Sequence, residues 1–300
     1  MDYIAVVSKA RPNLKPGSLK SYHSAFKKAV NTGHDIQKEP LEVIEALADV
    51  SLTTKRNVYN AVAVYLEAIG QGPYAFFYHT ERDKLNQEYV KQNESGIISD
   101  KQSPNFISYE ELIAYTHLLR VDIKDNQQLH MIFVILTFLI HRPLRNDLAM
   151  VKLITRRDWK KLSDEEKNHC FIIFEGGGGT KCTFYCNQYA TTKTRPQEVL
   201  DVDGRARIEL HKYVRTWKIQ SGEVLFPISK NGLSQLLIRT SQKYIGKNIS
   251  TNIIRKIISS HKFLDKKIEQ EAHSKSIGHS VNTENLIYVK SKQEEEQLPE

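Results

Sequence analysis

The run Met131-Ile132-Phe133-Val134-Ile135-Leu136-Thr137-Phe138-Leu139-Ile140, followed at once by His141-Arg142-Pro143-Leu144-Arg145, decides how the rest of the chain reads. A bilayer crossing needs about 20 apolar residues, and this run is far shorter and broken by Thr137, so it predicts a helix over 127–141 buried in a protein core. Pro143 has no amide hydrogen for a helix interior and forces a break. A short helix carrying Arg145 is expected beyond it, which sets that arginine at the end of a rigid core element. Taken alone, Arg145 reads more readily as a surface arginine near a helix start.

Outward from this core the pattern is mixed. A helix is expected at 109–120 and strands at 170–174, 181–187 and 198–202. Gly176 to Gly179 joins the first two strands as a hairpin turn, because no Gly-Lys-Ser/Thr closes a phosphate loop. Helices resume at 205–218, 232–244, 251–261 and 264–273. The first hundred residues read differently, as helices alone. Tyr22, Phe26 and Val30 recur every four positions after Pro16, with Lys20, Lys27 and Lys28 elsewhere on the same helix. A second helix opens near Thr53, carries Val58, Val62, Tyr65 and Ile69, and stops at Gly70. Shorter helices are expected at 40–50 and 73–92. Composition shifts at Asn93-Glu94-Ser95-Gly96 and again at 100–104. The fold class is therefore mainly α with a small β-sheet or hairpin (α+β), arranged as a helical domain over 1–95, a linker over 96–106 and a mixed domain over 107–300.

Composition bounds the partners. The 300 residues, 40% hydrophobic, suffice for two cores, and the net charge of +8 favours a polyanion. Lys20, Lys27, Lys28, Lys55 and Arg56 are the basic residues of the helical domain that could meet such a partner; the alternative is an ordinary solvated face. Cys170, Cys182 and Cys186 are odd in number and make no disulfide framework, which points to a reducing compartment. Cys182 and Cys186 would need two more ligands to hold zinc, and His169 is the one neighbour of suitable type, so no metal is expected. Met1-Asp2-Tyr3-Ile4 shows no basic region before a long apolar run, hence no signal peptide, no membrane partner and an intracellular location in cytoplasm, nucleus or a viral factory.

The C-terminal end carries the chemistry. Arg255 lies among Ile253, Ile254, Ile257 and Ile258, where an unpaired guanidinium is costly, so it needs a carboxylate or a bound phosphate. His279 follows Gly278, and Tyr288 stands nine residues further on. Attack on a phosphodiester by a side-chain hydroxyl requires a nucleophile, donors for the nonbridging oxygens and a proton for the departing oxygen. Tyrosine is neutral at pH 7, with a pKa of about 10, so cationic neighbours must favour the phenolate as it forms. Arginine suits the phosphate because its planar fork gives two parallel hydrogen bonds.

The segment His141-Arg142-Pro143-Leu144-Arg145-Asn146-Asp147-Leu148, the box Asn252-Ile253-Ile254-Arg255, the box Ile277-Gly278-His279-Ser280 and Tyr288 together resemble the tyrosine recombinases, the phage-integrase-like enzymes, in the divergent branch of large DNA viruses and Polinton-type mobile elements. The resemblance implies a core-binding domain followed by a catalytic domain acting on double-stranded DNA. It implies that Arg145 and Arg255 clamp the scissile phosphate, that Asn252 stands where His or Lys is usual, that His279 assists, and that Tyr288 attacks. Four protomers on two duplexes would exchange strands, without a cofactor. The branch's Tyr-Lys-Thr hairpin is here Tyr189-Ala190-Thr191-Thr192-Lys193-Thr194, so Ala190 occupies the usual general-acid position and Lys193 is taken to supply the proton. The rivals are a type IB topoisomerase and a DNA-binding protein of the same fold that has lost catalysis.

Overall fold

The computed structural model describes residues 2–94, 98–100, 102–176, 179–187, 198–202, 204–276 and 281. The chain divides into two compact units, Met1–Ile98 and Ser99–Glu300. Among the described residues there are eleven helices and one four-stranded sheet, and no helix is long and apolar enough to cross a membrane.

The first unit holds α1 (Tyr3–Ala10), α2 (Pro16–Val30), α3 (Pro40–Ala46), α4 (Leu52–Ala68) and α5 (Gly72–Glu94). Proline opens α2 and α3 in the first turn, where its missing amide costs nothing. The helix α4 is its centre: Val58, Tyr59 and every residue from Ala61 to Leu66 are buried. Tyr3, Phe26 and Tyr65 close the core, with the Phe26 ring 4.6 Å from Tyr3 and 4.7 Å from Tyr65. The sequence pattern missed α1, which has only eight residues; of its apolar side chains, Tyr3 and Val7, one turn apart, are the buried ones. Its start is fixed by Asp2, whose carboxylate accepts the amides of Ile4 and Ala5. Val30 was expected on the packed face of α2, yet it is 50% exposed, because α2 ends there and Ala29 takes the inward place.

The second unit is built around α7 (Gln127–His141), which follows α6 (Tyr109–Asp122). Every residue of α7 from Leu129 to Ile140 is buried, as the apolar run predicts. The Asn126 side chain accepts the Leu129 amide at 2.9 Å to start α7, and a reciprocal Ser108–Glu111 capping box starts α6. The sheet has strands β1 (Lys152–Thr155), β2 (Phe171–Glu175), β3 (Lys181–Cys186) and β4 (Glu198–Asp201), side by side in that order. The short helix α8 (Arg156–Trp159) follows β1, which pairs parallel to β2; the other two pairings are antiparallel. Neither β1 nor α8 was expected; each has only four residues, too few for a period to show. Residues 222–225 bond along the outer edge of β1 and cover it, the Leu153 amide donating to the Glu223 carbonyl at 2.9 Å.

Alternation sorts the sheet's side chains. Cys170, Ile172, Cys182, Phe184 and Cys186 join the main core, while Phe171 and Ile173 pack with Trp159, Leu162 and Tyr185 on the other face. The last helices are α9 (Gly204–Thr216), α10 (Lys230–Ile245) and α11 (Thr251–Ser276). Gly246 ends α10 in the left-handed conformation, φ 66°. The two helices expected at 251–261 and 264–273 are one continuous helix of 26 residues, since nothing between them, neither Gly nor Pro, breaks it.

The segment expected as a linker, 96–106, is not uniform. Its later part packs on the second unit: Lys247 Nζ donates to the Pro104 carbonyl at 2.9 Å, and the Asn248 amide to Asn105 Oδ1 at 2.8 Å.

Candidate active site

The chain leaves α7 at Arg142 and turns sharply, the Leu144 amide donating to the Arg142 carbonyl at 2.7 Å. Arg145 does not lie within a short helix. It immediately precedes a single 3-10 turn, Asn146–Leu148, of which Asp147 and Leu148 are buried. The turn's inward residues fix it, and Arg145 itself is exposed with no hydrogen-bond or ion-pair partner among the described residues.

Arg255 reaches this same turn. Ile253, Ile254, Ile257 and Ile258 anchor the first turns of α11 in the core, and Arg255, half-buried between them, donates from Nε to the Pro143 carbonyl at 3.0 Å. Its expected partner was a carboxylate or a phosphate; a backbone carbonyl takes that place, satisfying one donor of the five on a guanidinium. The terminal amino groups of Arg255 have no partner among the described residues. One side-chain bond thus joins two boxes 112 residues apart.

A second set of bonds holds the two boxes from the side of α10. Asn146 Nδ2 donates to Ser234 Oγ at 3.2 Å, and Ser234 Oγ lies 3.2 Å from Thr251 Oγ1. Lys230 Nζ stands 3.6 Å from the buried Asp147 carboxylate. Asn146 is the chain neighbour of Arg145, and Thr251 that of Asn252, which is exposed in the first turn of α11. Arg145, Asn252 and Arg255 therefore come from one locality, around two guanidinium groups and the amino end of a long helix. Such a locality favours an anion by hydrogen bonding and by charge. The sequence did not reveal Ser234, Lys230 or Thr251 as the residues that tie it together. Ser234 is 88 residues from Asn146, and no local motif marks it.

Lys193, His279 and Tyr288, like Ala190, lie outside the described residues. In the first unit Lys20, Lys27 and Lys28 are exposed on α2, and Lys55 is partly exposed on α4. Arg56 is committed within the fold: Nε donates to Asn86 Oδ1 at 2.6 Å, and the guanidinium lies 4.4 Å from the centre of the Tyr89 ring. Charge is unevenly shared. Residues 1–98 contain twelve Lys and Arg against eleven Asp and Glu, a net +1, which leaves +7 of the total +8 to the second unit.

Among the described residues no three His, Cys, Asp or Glu side chains cluster as a metal site would require. A pocket of about 530 Å³ lies at the other end of α7, between Asp122, Asn126, Arg239 and Lys243. It is separated from the Arg145 turn by the length of that helix, about 22 Å at 1.5 Å per residue. Comparison of the chain with protein-family models and with curated proteins finds no match.

Proposed function

We propose that the chain breaks and rejoins DNA strands in the manner of a tyrosine recombinase, with the helical first unit as its core-binding domain and the second as its catalytic domain. The observation that carries this reading is the Arg255 Nε bond to the Pro143 carbonyl, which joins the two arginine boxes at one solvent-facing turn. In this mechanism Arg145 and the free amino groups of Arg255 hold the nonbridging oxygens of the scissile phosphate, and their charge favours the pentacoordinate state. Asn252 donates to the same phosphate, and His279 assists. Tyr288 Oη attacks phosphorus, a 3′-phosphotyrosyl bond forms as the bond to the 5′-oxygen breaks, and Lys193 gives that oxygen its proton. Rejoining reverses the step with another 5′-hydroxyl, so the phosphodiester's energy stays in the covalent link. Strand exchange on this scheme takes four protomers on two duplexes.

The test is a nicked duplex from which the short fragment bearing the freed 5′-hydroxyl diffuses away after cleavage, trapping the covalent complex. The native chain should give an adduct resistant to denaturant, and Tyr288→Phe should bind the duplex and give none. An adduct that survives Tyr288→Phe overturns the assignment of the nucleophile. Binding with no adduct from the native chain favours the non-catalytic binder of the same fold, and relaxation of supercoils without sequence preference favours the topoisomerase.

A further inference from the structure

The three cysteines are unlike one another, and two of them are placed to react. The β2–β3 ladder pairs Phe171 with Tyr185, so the next step outward sets Cys170 directly opposite Cys186. Both side chains leave the same face of the sheet, and their sulfurs are 3.8 Å apart, in van der Waals contact. Directly opposed residues on antiparallel strands have Cα atoms about 4.5–5.5 Å apart, within the range of about 4.4–6.8 Å that a disulfide spans. We propose that Cys170 and Cys186 form a reversible disulfide site, closed by a low-molecular-weight disulfide such as oxidised glutathione and reopened by thiols.

The order of the steps follows from exposure. Cys170 is 8% exposed, Cys186 1% and Cys182 2%, so Cys170 is the residue of the three nearest to solvent and the first an external reagent would reach. Its thiolate attacks one sulfur of oxidised glutathione, forming a mixed disulfide and expelling glutathione thiolate, which takes up the proton Cys170 released. The Cys186 thiolate then attacks the Cys170 sulfur of that mixed disulfide. The Cys170–Cys186 bond forms, the bond to glutathione breaks, and the second glutathione leaves with the Cys186 proton. Two protein thiols are oxidised and one glutathione disulfide is reduced to two thiols, so atoms and electrons balance.

Cys182 is a poor competitor. It sits four residues up the strand, opposite Phe174, and burial pushes its thiol up to about 12, which leaves almost no thiolate at neutral pH. The link would also have a structural consequence. Cys186 is the last residue of β3 and pairs with Glu198, the first of β4, so the bond ties the start of β2 to the base of the 187–197 connection, which contains Lys193. The chemistry of the pair stands whether or not Tyr288 attacks DNA.

The experiment is a thiol census and a peptide map of the full folded chain, with and without oxidised glutathione. Native oxidation should lower the thiols titrated after unfolding from three to one, and an unreduced digest should contain a 170–186 cross-linked peptide lighter by two hydrogens. Dithiothreitol should restore three thiols. Cys182→Ala should keep the cross-link and Cys186→Ala should lose it, with circular dichroism confirming that each variant is folded. Three thiols persisting under conditions that oxidise a small reference dithiol would overturn the proposal. So would a cross-link through Cys182 or between two chains.

Discussion

The two units share a plan and differ in charge. Each wraps its core around one helix buried on nearly every side, α4 in the first and α7 in the second. The first unit is almost electrically balanced at +1, whereas the second carries +7. On the proposed reading, a polyanion would be attracted chiefly by the unit that also presents Arg145 and Arg255, and the first unit would add a few lysines on α2. The sequence reading put its DNA contacts in the first unit. The unit-by-unit charge shifts the expected bulk of the affinity to the second.

The largest effect expected concerns the cores. The buried residues of the two units form separate clusters with no member in common. Phe138, fully buried on α7 with its ring edge-on to Phe184 at 5.6 Å, fills the second core. Phe138→Ala should destabilise the second unit by about 3–5 kcal/mol and leave the melting of the first unchanged. Differential scanning calorimetry, with fragment 1–98 as reference, would show one shifted transition; two transitions shifting together would mean that the units fold as one and would break the comparison.

Next come the arginines. Arg145→Ala or Arg255→Ala should lower the rate of adduct formation by about 10²–10³-fold, or about 2.7–4 kcal/mol, with a much smaller loss of DNA affinity. Single-turnover rates beside filter-binding affinities measure both. Losses confined to affinity would remove the phosphate clamp and leave the second unit a binding surface. Arg255→Lys should recover little, because one ammonium cannot bond the Pro143 carbonyl and also present a planar fork.

How far sequence reaches into this molecule depends on the distance over which a signal acts. The apolar run 131–140, the proline after it and the glycine closing α10 act within a few residues, and α7 has the bounds the sequence predicts. The short elements α1, β1 and α8 carry too few residues for periodicity and owe their existence to tertiary contacts or to one cap. The candidate site shows the same division. Arg145, Asn252 and Arg255 could be named from their boxes, but the bonds through Pro143, Ser234 and Thr251 come from three stretches that only folding brings together.

A smaller effect is expected from pH. Burial lowers the pKa of His130 from its ordinary 6.5, and the neutral ring accepts the Trp217 indole N–H at Nδ1, 3.0 Å away. Because the unfolded chain takes up this proton more readily than the folded one, the contribution is complete above pH 6.5 and is lost as pH falls toward the lowered folded value. The second unit should therefore lose more stability than the first between pH 7 and 5. His130→Gln, which keeps an acceptor and does not titrate, should reduce that difference; an unchanged difference would assign it to other groups.

The smallest effect is expected from the lysines of α2, and it sharpens the charge comparison most. Lys27 and Lys28 are exposed in the last turn of α2, where cations also complement the helix's negative end, so their position has a structural explanation that requires no DNA. Each lysine that touches a phosphate contributes about 0.9 to the slope of log affinity against log salt. Lys27→Ala with Lys28→Ala should flatten that slope by at most about 1.8, leaving the larger part to the second unit. The adduct-forming rate at saturating DNA should not change, since neither residue belongs to the turn that Arg145 and Arg255 share. A slope that does not move would mean that α2 never meets the backbone. A slope that collapses would mean that the nearly neutral unit carries the affinity after all, with a few lysines concentrated on one helix face outweighing the net charge of everything around them.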